Sequence, residues 1–268
     1  MKAWLSKINF SQLIDALLPI FATFAALAVG AVMLLILGAN PIRAYGAMAE
    51  GAFGSGNALA ETAVKAVPLL LVGLGICIAF RANVINIGGE GQMILGAIFA
   101  IVVGLSLPNW PGWAVITLAI LAGFVGGGLW GAIPGALKAY FGVNEILSTI
   151  MMNAIAIQIM NYLLRGPMID PAQAELASKS PQTAALEQAF RLPRLAPTRL
   201  HLGAAFAIGL AILVYILLWR TTLGYRIRAV GQNPEAARYG GIRVRRQIVI
   251  ALLLSGAFAG LAGVMQVY

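Results

Sequence analysis

Long apolar runs, broken by short polar or glycine-rich stretches, recur along the whole chain. A helix needs about 20 apolar residues to cross the hydrocarbon of a bilayer. Seven runs approach or exceed that length, at about 19–39, 66–81, 92–107, 113–137, 146–164, 200–219 and 247–268. The second and third are short and are separated by Asn83-Val84-Ile85-Asn86-Ile87-Gly88-Gly89-Glu90-Gly91. The pattern predicts an all-α, polytopic transmembrane helix bundle of about seven spans. Residues 1–18 read as an interfacial, cytoplasmic lead-in and 19–268 as the transmembrane domain. Lys2 and Lys7 precede the first run, but its stretch from Pro19 to Ala39 exceeds the roughly 7–15 apolar residues of a cleaved signal, so an uncleaved anchor is expected.

Composition sharpens this. Of 268 residues, 60% are apolar and 10% charged, and mean hydropathy is +0.89. Soluble domains carry about 25% charge, and no globular core of this size hides so much hydrocarbon. Disorder is excluded too, since nearly every stretch has apolar surface to bury. The single Cys77 excludes an internal disulfide, and with the single His201 it leaves no zinc cluster, so no metal site is expected. No Ser/His, His/Glu or metal-ligand constellation points to an enzyme, and no catalytic residue is assigned. Neither Gly-Lys-Ser nor Gly-Lys-Thr occurs, so the phosphate-binding loop of ATPases is absent.

The net charge of +9 reads as cytoplasmic loops rather than as nucleic-acid binding. With the N-terminus inside, Lys2, Lys7, Arg81, Lys138, Arg220, Arg226, Arg228, Arg238, Arg243, Arg245 and Arg246 fall on the cytoplasmic side. Arg43, Lys65, Arg165, Lys179, Arg191, Arg194 and Arg199 fall outside, eleven against seven. The loop 220–246 alone holds seven arginines. The segment 165–199, with Asp170, Glu175, Lys179, Glu187 and five prolines, reads as an extracytoplasmic loop with a short helix near Ala184–Phe190. Segment 40–65, with Gly51, Gly54 and Gly56, reads as a surface-lying or re-entrant element outside. The seventh run is still apolar at Tyr268, which fits a flush helix end or, the reading preferred here, a fragment of a longer protein.

Membrane helices associate by close backbone approach. Gly123, Gly127, Gly131 and Gly135 form a ridge in the fourth run, and Ala251, Ser255, Ala259 and Gly263 form one in the seventh. Packing within the chain is the expected use, with a subunit interface as the alternative. Pro134 is placed to kink the fourth helix.

Three polar features are candidates for function. Glu90, flanked by Gly89 and Gly91, has two readings. It belongs either to a polar site at a broken helix, with Asn86 and Gln92 beside it, or to the first turn of a surface helix, where an acid favours the dipole. Asn144 and Ser148 share one helix face, while Glu145, Thr149 and Asn153 share another. Those stripes line a water-filled pathway or make interhelical hydrogen bonds. The third feature is Gly231-Gln232-Asn233-Pro234-Glu235-Ala236-Ala237-Arg238-Tyr239-Gly240-Gly241. Asn233 is placed as a helix cap, Pro234 and Glu235 in the first turn, and Gly240 or Gly241 as the stop. The arginines there suit anionic lipid. The small Ala236, Ala237 and Gly240 suit docking into a partner's cleft better, so Ala237→Trp is expected to spare the fold and break the docking.

These strings together resemble the permease of a bacterial ATP-binding-cassette importer, in the simple-sugar and nucleoside branch served by a basic-membrane-protein-type lipoprotein. The matching stretches are Pro68–Leu74, Asn86–Gly96, Asn144–Asn153 and Gly231–Gly241, in family order. The resemblance implies a multi-pass protein of the bacterial inner membrane. Its partners would be an ATPase subunit holding ATP and magnesium, a second permease identical or homologous, a substrate-binding lipoprotein and membrane lipid. No cofactor would sit on this chain. It also implies that Gly231, Asn233, Pro234, Glu235, Ala236, Ala237, Arg238 and Gly241 form the coupling helix of the loop 220–246. ATP hydrolysis would drive alternating access for a nucleoside or simple sugar. For such hydroxyl-rich solutes the candidate pathway residues are Asn86, Glu90, Gln92, Asn144, Glu145 and Asn153. The competing expectation is a secondary transporter or channel that needs no ATPase and uses Glu90 as its coupling carboxylate.

Overall fold

The structure, a computed structural model, describes residues 10–174, 181–190, 192–193 and 202–268. Lys2, Lys7, Glu175, Lys179, Arg191, Arg194, Pro197, Arg199 and His201 lie outside the described residues. Among the described residues seven helices are long and apolar enough to cross a membrane. The chain is an all-α, polytopic bundle.

The contacts divide it into two units, Met1–Leu59 and Ala60–Tyr268. In the first, α1 (Phe10–Ile36) runs without a break through Pro19, and its apolar, span-length part is Leu17–Ile36. The Thr23 hydroxyl donates to the Pro19 carbonyl. After a turn at Gly38, α2 (Pro41–Phe53) begins on a strong cap: the Asn40 side-chain oxygen accepts from the amides of Ile42 and Arg43, with Pro41 in the first turn. Tyr45 Oη donates to the Leu27 carbonyl, 2.7 Å, and ties α2 to α1.

At the boundary starts α3 (Gly56–Arg81), which runs through Pro68. Segment 40–65 is therefore helix in two pieces, and the second span, at 26 residues, is not short. Then come α4 (Gly89–Ser106), α5 (Gly112–Phe141) and α6 (Glu145–Arg165). The four-residue α7 (Pro171–Ala174) and a 3-10 turn at Gln188–Phe190 follow, the latter in place of the helix expected over 184–190. The remaining elements are α8 (Gly203–Arg220), α9 (Thr222–Gln232), α10 (Pro234–Tyr239) and α11 (Val244–Val267). Pro134 lies inside α5 without ending it, and Gly142, at φ +68°, supplies the left-handed residue that stops it.

The second unit is built around α11, whose apolar window is 72% buried. It can sit there because small residues surround it. A Cβ on Gly127 would meet the Gly256 carbonyl and the backbone of Gly260; one on Gly131 would meet the Leu252 carbonyl; one on Gly135 would meet the Leu252 side chain. Gly123 faces Val264 and Gly260 faces Gly123 in return. On other sides of α11, Gly263 abuts Met93 and Ala97 of α4, and Gly75 of α3 abuts Ser255. Lipid tails are as apolar as leucine, so close packing of backbones, rather than hydrophobic sequestration, holds such helices. The glycine ridge of α5 is packing within the chain.

Loops that alternate in sequence collect at opposite ends of this unit. At one end Gly231 lies on the Arg81 carbonyl, Arg81 and Arg228 lie over the Trp219 ring at 5.3 and 4.2 Å, and Arg245 lies over Tyr140. At the far end the Leu192 amide donates to the Tyr268 carbonyl, Tyr268 Oη donates to the Ala100 carbonyl, and Phe190 is buried.

Candidate functional site at the basic end of the bundle

The α3–α4 loop, residues 82–88, is held by two asparagines. Asn86 is 4% exposed. Its Nδ2 donates to Gln92 Oε1 at 2.9 Å and to Ser255 Oγ at 2.8 Å; its Oδ1 accepts from the Gly88 amide at 2.9 Å and from Gln92 Nε2 at 3.2 Å. Four bonds exhaust the capacity of a primary amide. Asn153 of α6 does similar work from the other side. Its Oδ1 accepts from the Gly91 amide, and its Nδ2 donates to the Ile87 carbonyl. The loop is thus tied to α11 through Ser255 and to α6 through Asn153. Gly91 is required at this contact, because a Cβ there would meet the backbone and side chain of Asn153.

Glu90 takes no part in this network. It is exposed, at the second residue of α4, where its charge complements the helix dipole. Within this chain it therefore has the surroundings of the surface reading, not of an enclosed site.

Asn144 caps α6 by accepting from the amides of Ile146 and Leu147. Glu145 pairs with Lys138 at 2.6 Å, joining the start of α6 to the end of α5. Thr149 is buried, bonds back to the Glu145 carbonyl and faces Gly88. Asn86, Gln92, Glu145 and Asn153 hold loops and helix starts together through their side chains, and Asn144, itself exposed, does so through its Oδ1 alone.

The loop 220–246 contains two helices where the sequence pointed to one. Thr221 caps α9, and Gly224 lets it fold tightly back on Leu217 and Leu218. Gly224, Ile227 and Val230 recur at helical spacing and are buried, the amphipathic signal by which α9 is legible in hindsight. Asn233 then caps α10, its Oδ1 accepting from the amides of Glu235 and Ala236 at 3.0 Å each, with Pro234 and Glu235 in the first turn. The Gly240 amide donates to the Ala236 carbonyl, and Gly241 takes the left-handed conformation at φ +79°. The cap, first turn and stop are those expected from the sequence.

One expectation about this helix is corrected. Ala237 is only 6% exposed, so its methyl faces the chain rather than outward, and a tryptophan there would disrupt the local fold. A six-residue helix has one inner side, and Ala237 occupies it. The outward side chains are Glu235, Ala236, Arg238 and Tyr239, and Tyr239 is 95% exposed. An aromatic standing free on a capped helix is the feature that the sequence reading missed; its position between Arg238 and Gly240 carried no signal of its orientation.

Fold and surface together define a class: a multi-pass helical membrane protein that presents a short, rigidly capped helix at the basic end of its bundle. Residues 58–268 match the family described as "Branched-chain amino acid transport system / permease component", and the chain belongs to that family. It is 38% identical to the guanosine ABC transporter permease protein NupP of Bacillus subtilis, over 95% of this chain and 72% of that protein. It is 35% identical to the glucose ABC transporter permease protein TsgB13 of Haloferax volcanii, over 93% of this chain and 67% of that one. A second guanosine permease of B. subtilis, NupQ, is 30% identical over 75% of this chain and 64% of that protein. No solved structure matches. The chain is an ABC-type permease subunit, and this membership favours that reading over an ATPase-independent transporter or channel.

Proposed function

We propose that this chain is the membrane-embedded subunit of an ATP-driven importer for a nucleoside or simple sugar, working in a bacterial inner membrane. Relatives named for guanosine and glucose support that solute class over the branched-chain amino acids of the family description. The observation that carries the reading is α10: a capped helix with Glu235, Arg238 and Tyr239 outward, on the end of the bundle that holds Arg81, Lys138, Arg220, Arg226, Arg228, Arg238, Arg243, Arg245 and Arg246. The positive-inside rule puts that end in the cytoplasm, where an ATPase works.

In this reading ATP and magnesium bind a partner ATPase, which grips α10. Motion passes through α9, seated on the end of α3 by Gly231 and by the arginines over Trp219. From there the α3–α4 loop carries it to α11 and α6 through Asn86 and Asn153. A second permease faces this one, as the paired NupP and NupQ suggest, and a lipoprotein delivers solute from outside. Of the candidate pathway residues, Glu90 retains a free carboxylate for a solute hydroxyl or for the second permease, and the other five act by holding the pathway's walls.

The test is uptake of labelled guanosine and ribose into vesicles carrying the complete complex. Uptake is expected only with ATP, and accumulation in its absence overturns the reading.

A further inference from the structure

At mid-span the outer faces of α5 and α8 are apolar: Leu121, Val125 and Leu129 stand exposed on the first, and Ile208, Ile212 and Ile216 on the second. The outer face of α6 differs. Its half nearer the basic end exposes Leu147, Ile150, Met151 and Ile155. Above these, at the same helical spacing, the face carries Gln158, Asn161, Tyr162 and Arg165. Ser148, Thr149 and Asn153, the polar positions that the sequence singled out, turn into the bundle instead.

Depth gives this face its meaning. With 21 residues at 1.5 Å each, α6 is about 30 Å long, which is the thickness of the hydrocarbon. Gln158 precedes Arg165 by two turns, so it lies about 10 Å inside the outer end. Gln158 is exposed and Asn161 half-buried, and neither side chain makes a hydrogen bond among the described residues. Amides facing lipid at that depth are left without partners at a cost, so polar side chains inside spans face protein or a water-filled cavity. Tyr162, 72% exposed, adds an aromatic ring one turn from Gln158.

We infer that this face of α6 lines the solute pathway, where Gln158 and Asn161 hydrogen-bond a ring-shaped solute and Tyr162 stacks on it. A primary amide offers both donors and acceptors, as hydroxyls and base edges require, and an aromatic ring accepts a flat base whatever its identity. The gradient along the face argues for solute rather than for a neighbouring helix. Its apolar half lies towards the cytoplasm, and its polar half opens towards the outer side, from which an importer takes its cargo. The inference deepens the proposed importer function and rests on it for the identity of the solute.

Cysteine accessibility in the assembled complex tests it, with the native Cys77 replaced by alanine. Gln158→Cys and Asn161→Cys are expected to react with a charged, membrane-impermeant methanethiosulfonate, supplied on both sides of the vesicles, roughly tenfold faster than Ile212→Cys, whose thiol in lipid stays un-ionised. Saturating guanosine or glucose is expected to slow the reaction. Protection by guanosine alone assigns the site a base, and protection by glucose assigns it a sugar. Gln158→Leu is expected to raise KM for the transported solute by roughly tenfold, the worth of one hydrogen bond, with melting temperature and ATPase recovery unchanged. Equal labelling at positions 158 and 212 overturns the inference, as does an unaltered KM. Labelling that neither solute slows, in a complex that takes up either, overturns it too. Loss of assembly with KM intact would give the face to a second permease instead. If uptake proceeds without ATP, or neither solute is taken up, the importer reading fails, and the contrast between positions 158 and 212 still decides this one.

Discussion

Asn86 and Glu90 lie four residues apart in a glycine-rich loop and do opposite work. Asn86 is buried with four hydrogen bonds, while Glu90 is exposed with none among the described residues. Replacing Asn86 by leucine strands Gln92, Ser255 and the Gly88 amide, at about 1–3 kcal/mol for each buried group left without a partner. A markedly lower melting temperature in detergent is the expected outcome, with poor recovery of folded protein. Glu90→Gln is expected to keep the wild-type melting temperature and to lower solute uptake in the assembled complex. Equal melting for both variants would show that the loop does not depend on the amide network. The sequence displayed both residues equally. What separated them was the neighbourhood of Ser255, 169 residues away from Asn86.

Among the elements, α11 and α10 show two ways in which a helix is specified. The course of α11 depends on glycines that let three backbones approach, so Gly260→Val is expected to abolish monodisperse protein in size-exclusion chromatography. Gly209→Ala, on α8 with open space beside it, is expected to be neutral or stabilising by ~0.5–1 kcal/mol in thermal melts. A mild phenotype for Gly260→Val would refute the packing scheme. By contrast α10 is set by its caps and presents its outer side. Tyrosine is enriched among the few residues that supply about 2 kcal/mol or more to an interface. Tyr239→Ala is therefore expected to cut recovery of the partner ATPase on affinity purification by tenfold or more, with the melting temperature of the permease unchanged. Full recovery would remove Tyr239 from the contact.

For the molecule as a whole, the proposed ATP-driven transport requires that α9 and α10 move with the bundle. Gly231 is the seat of that linkage, since a side chain there would strike the Arg81 carbonyl and Ala82. Gly231→Leu is expected to leave the ATPase bound yet reduce ATP-driven uptake severely, while hydrolysis continues uncoupled. Uptake at the wild-type level would place the transmission route elsewhere. The same view explains the basic end: its arginines serve the loop's seating over Trp219 and the orientation of the bundle, two uses that one count of charges along the chain merges into a single bias.

The sequence by itself determined whatever depends on local composition: seven spans from apolar length, the helix cap at Asn233 and its stop at the following glycines, and small-residue ridges from spacing of four. It also displayed the strings by which family membership is recognised. Tertiary structure alone decided orientation and partnership. It turned Ala237 inward and Tyr239 outward, engaged five of the six polar candidates in holding loops, and exposed Glu90. It divided the loop 220–246 into two helices. The physical reason is that caps and hydropathy are set by residues within a few positions of each other, whereas burial and the pairing of polar groups depend on atoms that the chain brings together only when it folds.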